Sequence, residues 1–167
     1  DNKSVKKIFS ISSKKEIGTV VFDNPKKIKK SLTKSLKTNW SNTSSNERSK
    51  ILNKIANNIE EEPYELIYFL INEAGKTIQN AIDEIREAVD FLRYYSNQIL
   101  KISDASDLEG PTGEENLITY TSKGRFLCIS PWNFPVAILI GQISAALACG
   151  NKVIVKPSEH TSILGYL

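Results

Sequence analysis

Methionine is absent from this chain, histidine occurs once, at His160, and cysteine twice, at Cys128 and Cys149. A single histidine excludes most His-rich metal sites. Two thiols without a secretory leader argue against a disulfide framework and for a reducing, cytoplasmic setting. Both cysteines sit among apolar neighbours and are expected to be buried. No apolar run reaches the ~18 residues that a membrane span requires. The opening stretch "DNKSVKKIFSISSKK" has neither an apolar h-region nor a small-residue cleavage site, so it does not read as a secretory signal. The lack of a methionine suggests a processed or cut start. Also missing are a Gly-x-Gly-x-x-Gly fingerprint and a Walker loop, so any nucleotide held here is held without the usual phosphate cradle.

What is present is ordinary globular material: 167 residues, 40% hydrophobic and 25% charged, with a formal net charge of +3. That is enough chain for one domain with a core. The charge is unevenly spread, with most lysines in residues 1–50 and an acidic stretch from Glu60 to Glu115. A basic arm is one route to nucleic acid. These lysines are mixed with Ser, Asn and Ile and lack interleaved aromatics, so a solvated face is the simpler account and nucleic acid is not expected as a partner.

Punctuation along the chain predicts mainly helices first. "EIGTVVFD" alternates as a short strand. Asn24 and Pro25 then open a helix with Ile28, Leu32 and Leu36 on one stripe. Ser44 and Glu47 match a capping box for a helix to about Asn58, with Ile51, Leu52, Ile55 and Ile59 on its core face. Pro63 starts a third helix, which Gly75 closes. A long helix runs from about Thr77 to Ile99. Its expected core face is Ile78, Ile82, Ile85, Val89, Leu92 and Tyr95 or Ser96, with Asp83, Glu84, Arg86 and Glu87 turned away. Residues 101–115 read as loop, and "NLITYTSKG" as a strand ending in a turn.

The character then changes. "GRFLCISP" and "KVIVKPSE" read as strands apolar on both faces. Between them "VAILIGQISAALACG" reads as an apolar helix with small residues at Gly141, Ser144, Ala145, Ala146 and Ala148. Strand, helix, strand of this kind is a right-handed βαβ unit of a doubly wound parallel sheet. "HTSILGYL" reads as the start of another helix. The fold class is therefore α/β, an N-terminal helical segment followed by the first βαβ of a doubly wound sheet. The expected divisions are 1–115, 116–124 and 125–167.

Doubly wound sheets bind ligands at the carboxyl ends of their strands. Two polar clusters fall there, one with Asn133 and one with Lys156 and Glu159. Asn133 caps the helix after Pro135 or serves a site, and both readings stand open on the residues alone. Lys156 and Glu159 form a surface ion pair or a ligand contact. Cys149 has no adjacent base and reads as a packing residue rather than a nucleophile.

"PWNFP", the small-residue helix, "ALACGN" and "VIVKPSEHTSI" together resemble the signature of the NAD(P)-dependent aldehyde dehydrogenases. "IGTVVFD", Asn39–Trp40 and "ERSKILNKIAN" extend the resemblance over nearly the whole chain. "EAGKTIQNAIDEIREAVDFLRYY" and Gly141–Gln142 are similar to the pyrroline-5-carboxylate (glutamate semialdehyde) dehydrogenase module of the bifunctional proline-utilisation proteins. The resemblance implies a truncated aldehyde dehydrogenase-like fold. It implies that Asn133 is the oxyanion-hole asparagine, that Lys156 and Glu159 hold the adenosine ribose hydroxyls, and that Ile129, Ser130, Pro131 and Trp132 line the cleft near the nicotinamide. NAD is the implied cofactor and a small aldehyde the implied substrate. Residues 116–124 match a hairpin of the family's oligomerisation arm. The family's nucleophilic cysteine and general-base glutamate have no counterpart in these 167 residues, so the chain alone is expected to be inactive. A homo-oligomer or a complementing C-terminal chain is the implied partner. The alternatives are another aldehyde dehydrogenase branch, or a split or degenerate product that acts as a non-catalytic binding module.

Overall fold

The computed structural model describes residues 4–35, 37, 39–103 and 106–167. The chain opens with an antiparallel hairpin, β1 (Ser4–Phe9) against β2 (Glu16–Phe22), whose register shifts between Ile8 and Phe9. The strand β1 was not legible in the lysine-rich opening. Helix α1 (Pro25–Ser35) starts as expected: Asn24 Oδ1 accepts the Lys27 N–H at 2.9 Å. Leu36, the last position of its stripe, lies outside the described residues. Helix α2 (Ser45–Glu61) is capped by Ser44, whose Oγ accepts the Glu47 N–H at 3.2 Å. Helix α3 (Tyr64–Asn72) follows Pro63. Gly75 and Gly150 have φ of 73° and 76°, a left-handed turn that lets each helix end sharply.

Helix α4 (Ile78–Ser103) is the spine of the molecule. One side packs with α3 and with helix α5 (Ala137–Ala148) around Leu70, Ala81, Ile85, Ala88, Val136 and Ala137. The other packs with α2 around Leu52, Ala56, Val89, Leu92, Ile99 and Ala148. Small residues set the approach. A Cβ on Gly141 would lie 3.1 Å from the Phe91 ring, so α4 and α5 meet at a spacing where a larger residue would require that ring to shift.

This packing moves the helix faces from those expected. Leu52 and Ala56 are buried on α2, while Ile51 and Ile55 are exposed. On α4, Ile78 and Ile82 are exposed and Ala81, Glu84 and Ala88 are buried. Close helix contacts select alanines over isoleucines, because a large side chain at the seam would hold the backbones apart. Glu84, expected on the solvent side, is 1% exposed.

Residues 101–115 are not all loop. Helix α4 continues to Ser103, and β3 (Ser106–Leu108) pairs antiparallel with β4 (Asn116–Ile118). Asp104 and Ala105 of that stretch lie outside the described residues. Strand β5 (Arg125–Ile129) pairs in parallel with β6 (Lys152–Lys156), with Ile129 opposite Lys156, and α5 connects them. The βαβ unit is present, but β5 is not buried on both faces. Leu127 is 60% and Ile129 56% exposed, and Cys128 alone on the strand is buried. A third strand and a second helical layer would cover such a surface, and among the described residues β5 pairs only with β6. After β6 the chain makes a short 3₁₀ helix, Glu159–Thr161, and further turns rather than a full helix.

Candidate functional site

The ends of β5 and β6 lie side by side. The Ser130 N–H donates to the Lys156 carbonyl at 3.3 Å, so the segment 130–135 and the segment 156–159 leave the sheet at the same edge. This follows from parallel pairing in register, which brings both carboxyl ends to one side.

The first segment is framed by two prolines, and Pro135 is fully buried. Trp132, Asn133 and Phe134 between them are exposed. The Asn133 carboxamide makes no hydrogen bond to the described residues. It does not cap α5: the cap position is Val136, without a side-chain cap bond. Glu84 does that work instead. Its Oε1 accepts the N–H groups of Val136 at 2.8 Å and Ala137 at 3.2 Å. A carboxylate here satisfies two orphan donors and meets the positive end of the helix dipole. The Asn133 amide is thus left free for a ligand. It is also open to solvent in this chain, not enclosed by its apolar neighbours.

Glu84 is balanced by Lys76, whose Nζ lies 2.7 Å from Oε2. The same ammonium stands 4.0 Å from the centre of the Phe134 ring. The sequence signal for Glu84 is its place midway between Ala81 and Ala88. A stripe drawn through alanines rather than isoleucines runs over it.

In the second segment Lys156 and Glu159 are both exposed, and they form no ion pair with each other. They share a cavity of about 540 Å³ with Phe22, Ile28, Val155 and Tyr166. Glu159 also borders a cavity of about 630 Å³ with Trp132, Phe9, Glu73 and His160. The fold therefore joins Trp132 to Glu159 and Glu159 to Lys156. Asn133 lines neither cavity. Ile129 faces a third cavity of about 560 Å³, with Gln142 and Cys149. Ser130 is buried and its Oγ has no hydrogen-bond partner.

Glu73 bonds the turn that follows the second segment, as Glu84 bonds the helix start that follows the first. Its Oε1 accepts the Ile163 N–H at 2.9 Å and its Oε2 the Leu164 N–H at 3.0 Å. Burial raises the Glu73 carboxyl above the ordinary range, against the opposing pull of these bonds, of the Ser162 N–H and of Lys6.

Neither thiol is placed to act beside Asn133. Cys128 is buried, and burial pushes its thiol up, away from the thiolate form. Cys149 is exposed, contrary to expectation, at the end of α5, where the Arg48 guanidinium bonds the preceding Ala148 carbonyl. Burial lowers the Arg48 value, with Cys149 acting in the opposite direction. Helix α5 has 12 residues, so Cys149 stands about 18 Å along the axis from the Asn133 end.

These elements, their order and the two segments at the sheet edge match a known family. A model described as the aldehyde dehydrogenase family matches residues 1–167. The chain belongs to the aldehyde dehydrogenase family. It is 50% identical over 105 residues to the bifunctional protein PutA of Salmonella typhimurium, covering 63% of this chain and 7% of that protein. It is 42% identical over 103 residues to a 1-pyrroline-5-carboxylate dehydrogenase of Geobacillus thermodenitrificans, 62% of this chain and 20% of that one. The chain thus spans a small part of these relatives' length. Among solved structures, PutA from Bdellovibrio bacteriovorus superposes with a TM-score of 0.93 at 27% identity, over 98% of this chain and 17% of that one. A 1-pyrroline-5-carboxylate dehydrogenase from Thermus, with bound NAD, superposes with a TM-score of 0.87 at 33% identity, over 99% and 33%. NAD-dependence in the family, to which the NAD-bound Thermus structure attests, calls for a cofactor cleft. The residues at the sheet edge fit one: an unpaired ammonium and an unpaired carboxylate beside apolar walls suit vicinal hydroxyls next to a flat base. No helix of the described residues is long and apolar enough to cross a membrane.

Proposed function

We propose that these 167 residues supply one side of the NAD cleft and the oxyanion donor of a glutamate semialdehyde (1-pyrroline-5-carboxylate) dehydrogenase. The observation that carries the reading is the meeting of Lys156 and Glu159, unpaired with each other, at one cavity beside the loop bearing Asn133. Residues 1–115 form the mainly helical part and 125–167 the start of the cofactor unit; the arm hairpin expected at 116–124 has only its second strand, β4, there, its first strand being β3 at 106–108. The reading places the protein in the cytoplasm, where Cys128 and Cys149 stay free.

Each residue has a defined task. Lys156 donates and Glu159 accepts, so two adjacent ribose hydroxyls are bound in both senses. Trp132 lines the cavity that Glu159 borders. Bound NAD supplies the hydride acceptor. When a thiolate adds to the aldehyde carbon, negative charge develops on the carbonyl oxygen, and the Asn133 N–H donates to it. Loss of a comparable donor costs about 2.7–4 kcal/mol of transition-state stabilisation. The thiolate and the base that activates the hydrolytic water are assigned to residues outside these 167, because Cys128 is buried and Cys149 is at the wrong end of α5. Titration calorimetry with NAD, on the chain alone and mixed with a polypeptide carrying the rest of a relative's sequence, tests the cleft. Binding is expected in the mixture, weakened roughly ten- to hundredfold by Lys156→Ala or Glu159→Gln. No heat in either case refutes the cleft, and turnover of glutamate semialdehyde by the chain alone refutes the assignment of the nucleophile.

The bare apolar side of β5 favours a second reading, a non-catalytic binding or oligomerisation module. A stable homo-oligomer that takes up no NAD, alone or mixed, would select it.

A further inference from the structure

The corner between α3 and α4 reaches the Asn133 loop twice. At one contact the Glu84 carboxylate holds the backbone immediately after the loop, through the Val136 and Ala137 N–H groups. At the other the Lys76 ammonium stands under the Phe134 ring, one residue from Asn133. The two contacts are one unit, because Lys76 and Glu84 are themselves paired at 2.7 Å. The pair is nearly dry: the Glu84 side chain is fully buried and that of Lys76 is 12% exposed. A lysine over an aromatic face gains from the ring quadrupole, and more so when desolvated. A buried ion pair adds little to stability over an apolar pair of the same size. What the pair does is read instead from what it touches, and that is the loop. The Asn133 side chain has no hydrogen bond to the described residues, so its direction is set by the backbone on either side and by Phe134.

We propose that Lys76 and Glu84 are positioning residues that fix the Trp132–Pro135 loop and thereby aim the Asn133 carboxamide. The catalytic meaning of this aim rests on the reading of Asn133 as an oxyanion donor; the mechanical claim does not. Pro131 and the buried Pro135 limit the backbone at the loop ends. The Lys76–Glu84 pair supplies the remaining restraint at residues 134–137.

The test is backbone amide relaxation in the whole 167-residue chain, without cofactor or aldehyde. The native Asn133 N–H is expected to be rigid, with an order parameter near 0.85, roughly that of helical backbone. The double variant Lys76→Met, Glu84→Gln removes both charges together, so no uncompensated charge is left in the core. It is expected to lower the order parameter of Asn133 and Phe134 below about 0.6, with those of α4 and α5 unchanged. Lys76→Arg keeps the cation over the ring and the ion pair, and is expected to retain the native value. Unchanged order at Asn133 in the double variant overturns the proposal. So does a loss of order spread over α4 and α5, which would make the pair a general support. Because no ligand is present, failure of NAD to bind would leave this result standing, and a rigid loop in the double variant would leave the cofactor reading standing.

Discussion

Glu84 and Arg48 hold opposite ends of the same helix, α5. Glu84 accepts the N–H groups of Val136 and Ala137 at its start. Arg48 donates through Nε to the Ala148 carbonyl at its end, at 2.7 Å, and also bonds the Thr43 carbonyl. Trp40 adds its indole N–H to the Leu147 carbonyl at 2.9 Å. An acid at the start and a base at the finish both complement the helix dipole. The helix that carries Asn133 on its leading loop is thus fixed in direction by α4 at one end and by α2 at the other.

Removing either charge destabilises the chain by different amounts. Glu84→Ala leaves the Lys76 ammonium buried without a counter-charge and is expected to cost about 3–5 kcal/mol. Arg48→Ala removes charged hydrogen bonds to carbonyls and is expected to cost about 1.5–3 kcal/mol. Urea denaturation followed by circular dichroism measures both, and equal small losses would contradict the account of α5.

Asn133→Ala separates stability from function. The side chain is exposed and unbonded, so the melting transition is expected to stay within about 0.5 kcal/mol of the native chain. In a complemented, active mixture the same change is expected to lower kcat by about 100- to 1,000-fold. A destabilised variant with unimpaired turnover would reverse the assignment.

Glu73 makes stability depend on pH in a defined sense. Its carboxyl is raised in the folded chain, chiefly by burial. The folded state therefore binds the proton more tightly than the unfolded state, whose carboxyl titrates near about 4.3. Stability falls as pH rises from that value through the raised folded one, and the loss is complete above it. Glu73→Gln is expected to flatten this part of the profile. Denaturation from pH 4 upward, native against variant, reads the difference, and parallel profiles would contradict it.

The uncovered side of β5 is expected to drive self-association. Leu127 and Ile129 are exposed on a strand whose other edge is unpaired among the described residues. Sedimentation should show mass rising with concentration, and Leu127→Lys should suppress the rise. A native chain that stays monomeric at high concentration would rule this out.

Much of the local architecture was legible because it is written in short-range chemistry. Asn24, Ser44, Pro63 and Gly150 mark helix ends by bonds or backbone angles that involve only near neighbours. The βαβ unit was legible from two apolar runs flanking a small-residue helix. The helix faces were not. Ile51, Ile55, Ile78 and Ile82 carry the strongest periodic signal, yet the seams are lined by Ala56, Ala81 and Ala88. Glu84 was placed on the wrong side for the same reason. The short strands β1 and β3 lack a pattern of their own and exist through their partners.

The sequence by itself determined the element order, most helix ends and the membership signalled by the Asn133 and Lys156–Glu159 segments, since these depend on residue type and spacing. Only the tertiary structure decided what Asn133 is not. Whether it capped α5 depended on a carboxylate 49 residues earlier in the chain, brought in by α4. A helix start has few orphan N–H groups, and Glu84 accepts from those of Val136 and Ala137. That long-range contact, which no local pattern encodes, is the physical reason the amide remains free.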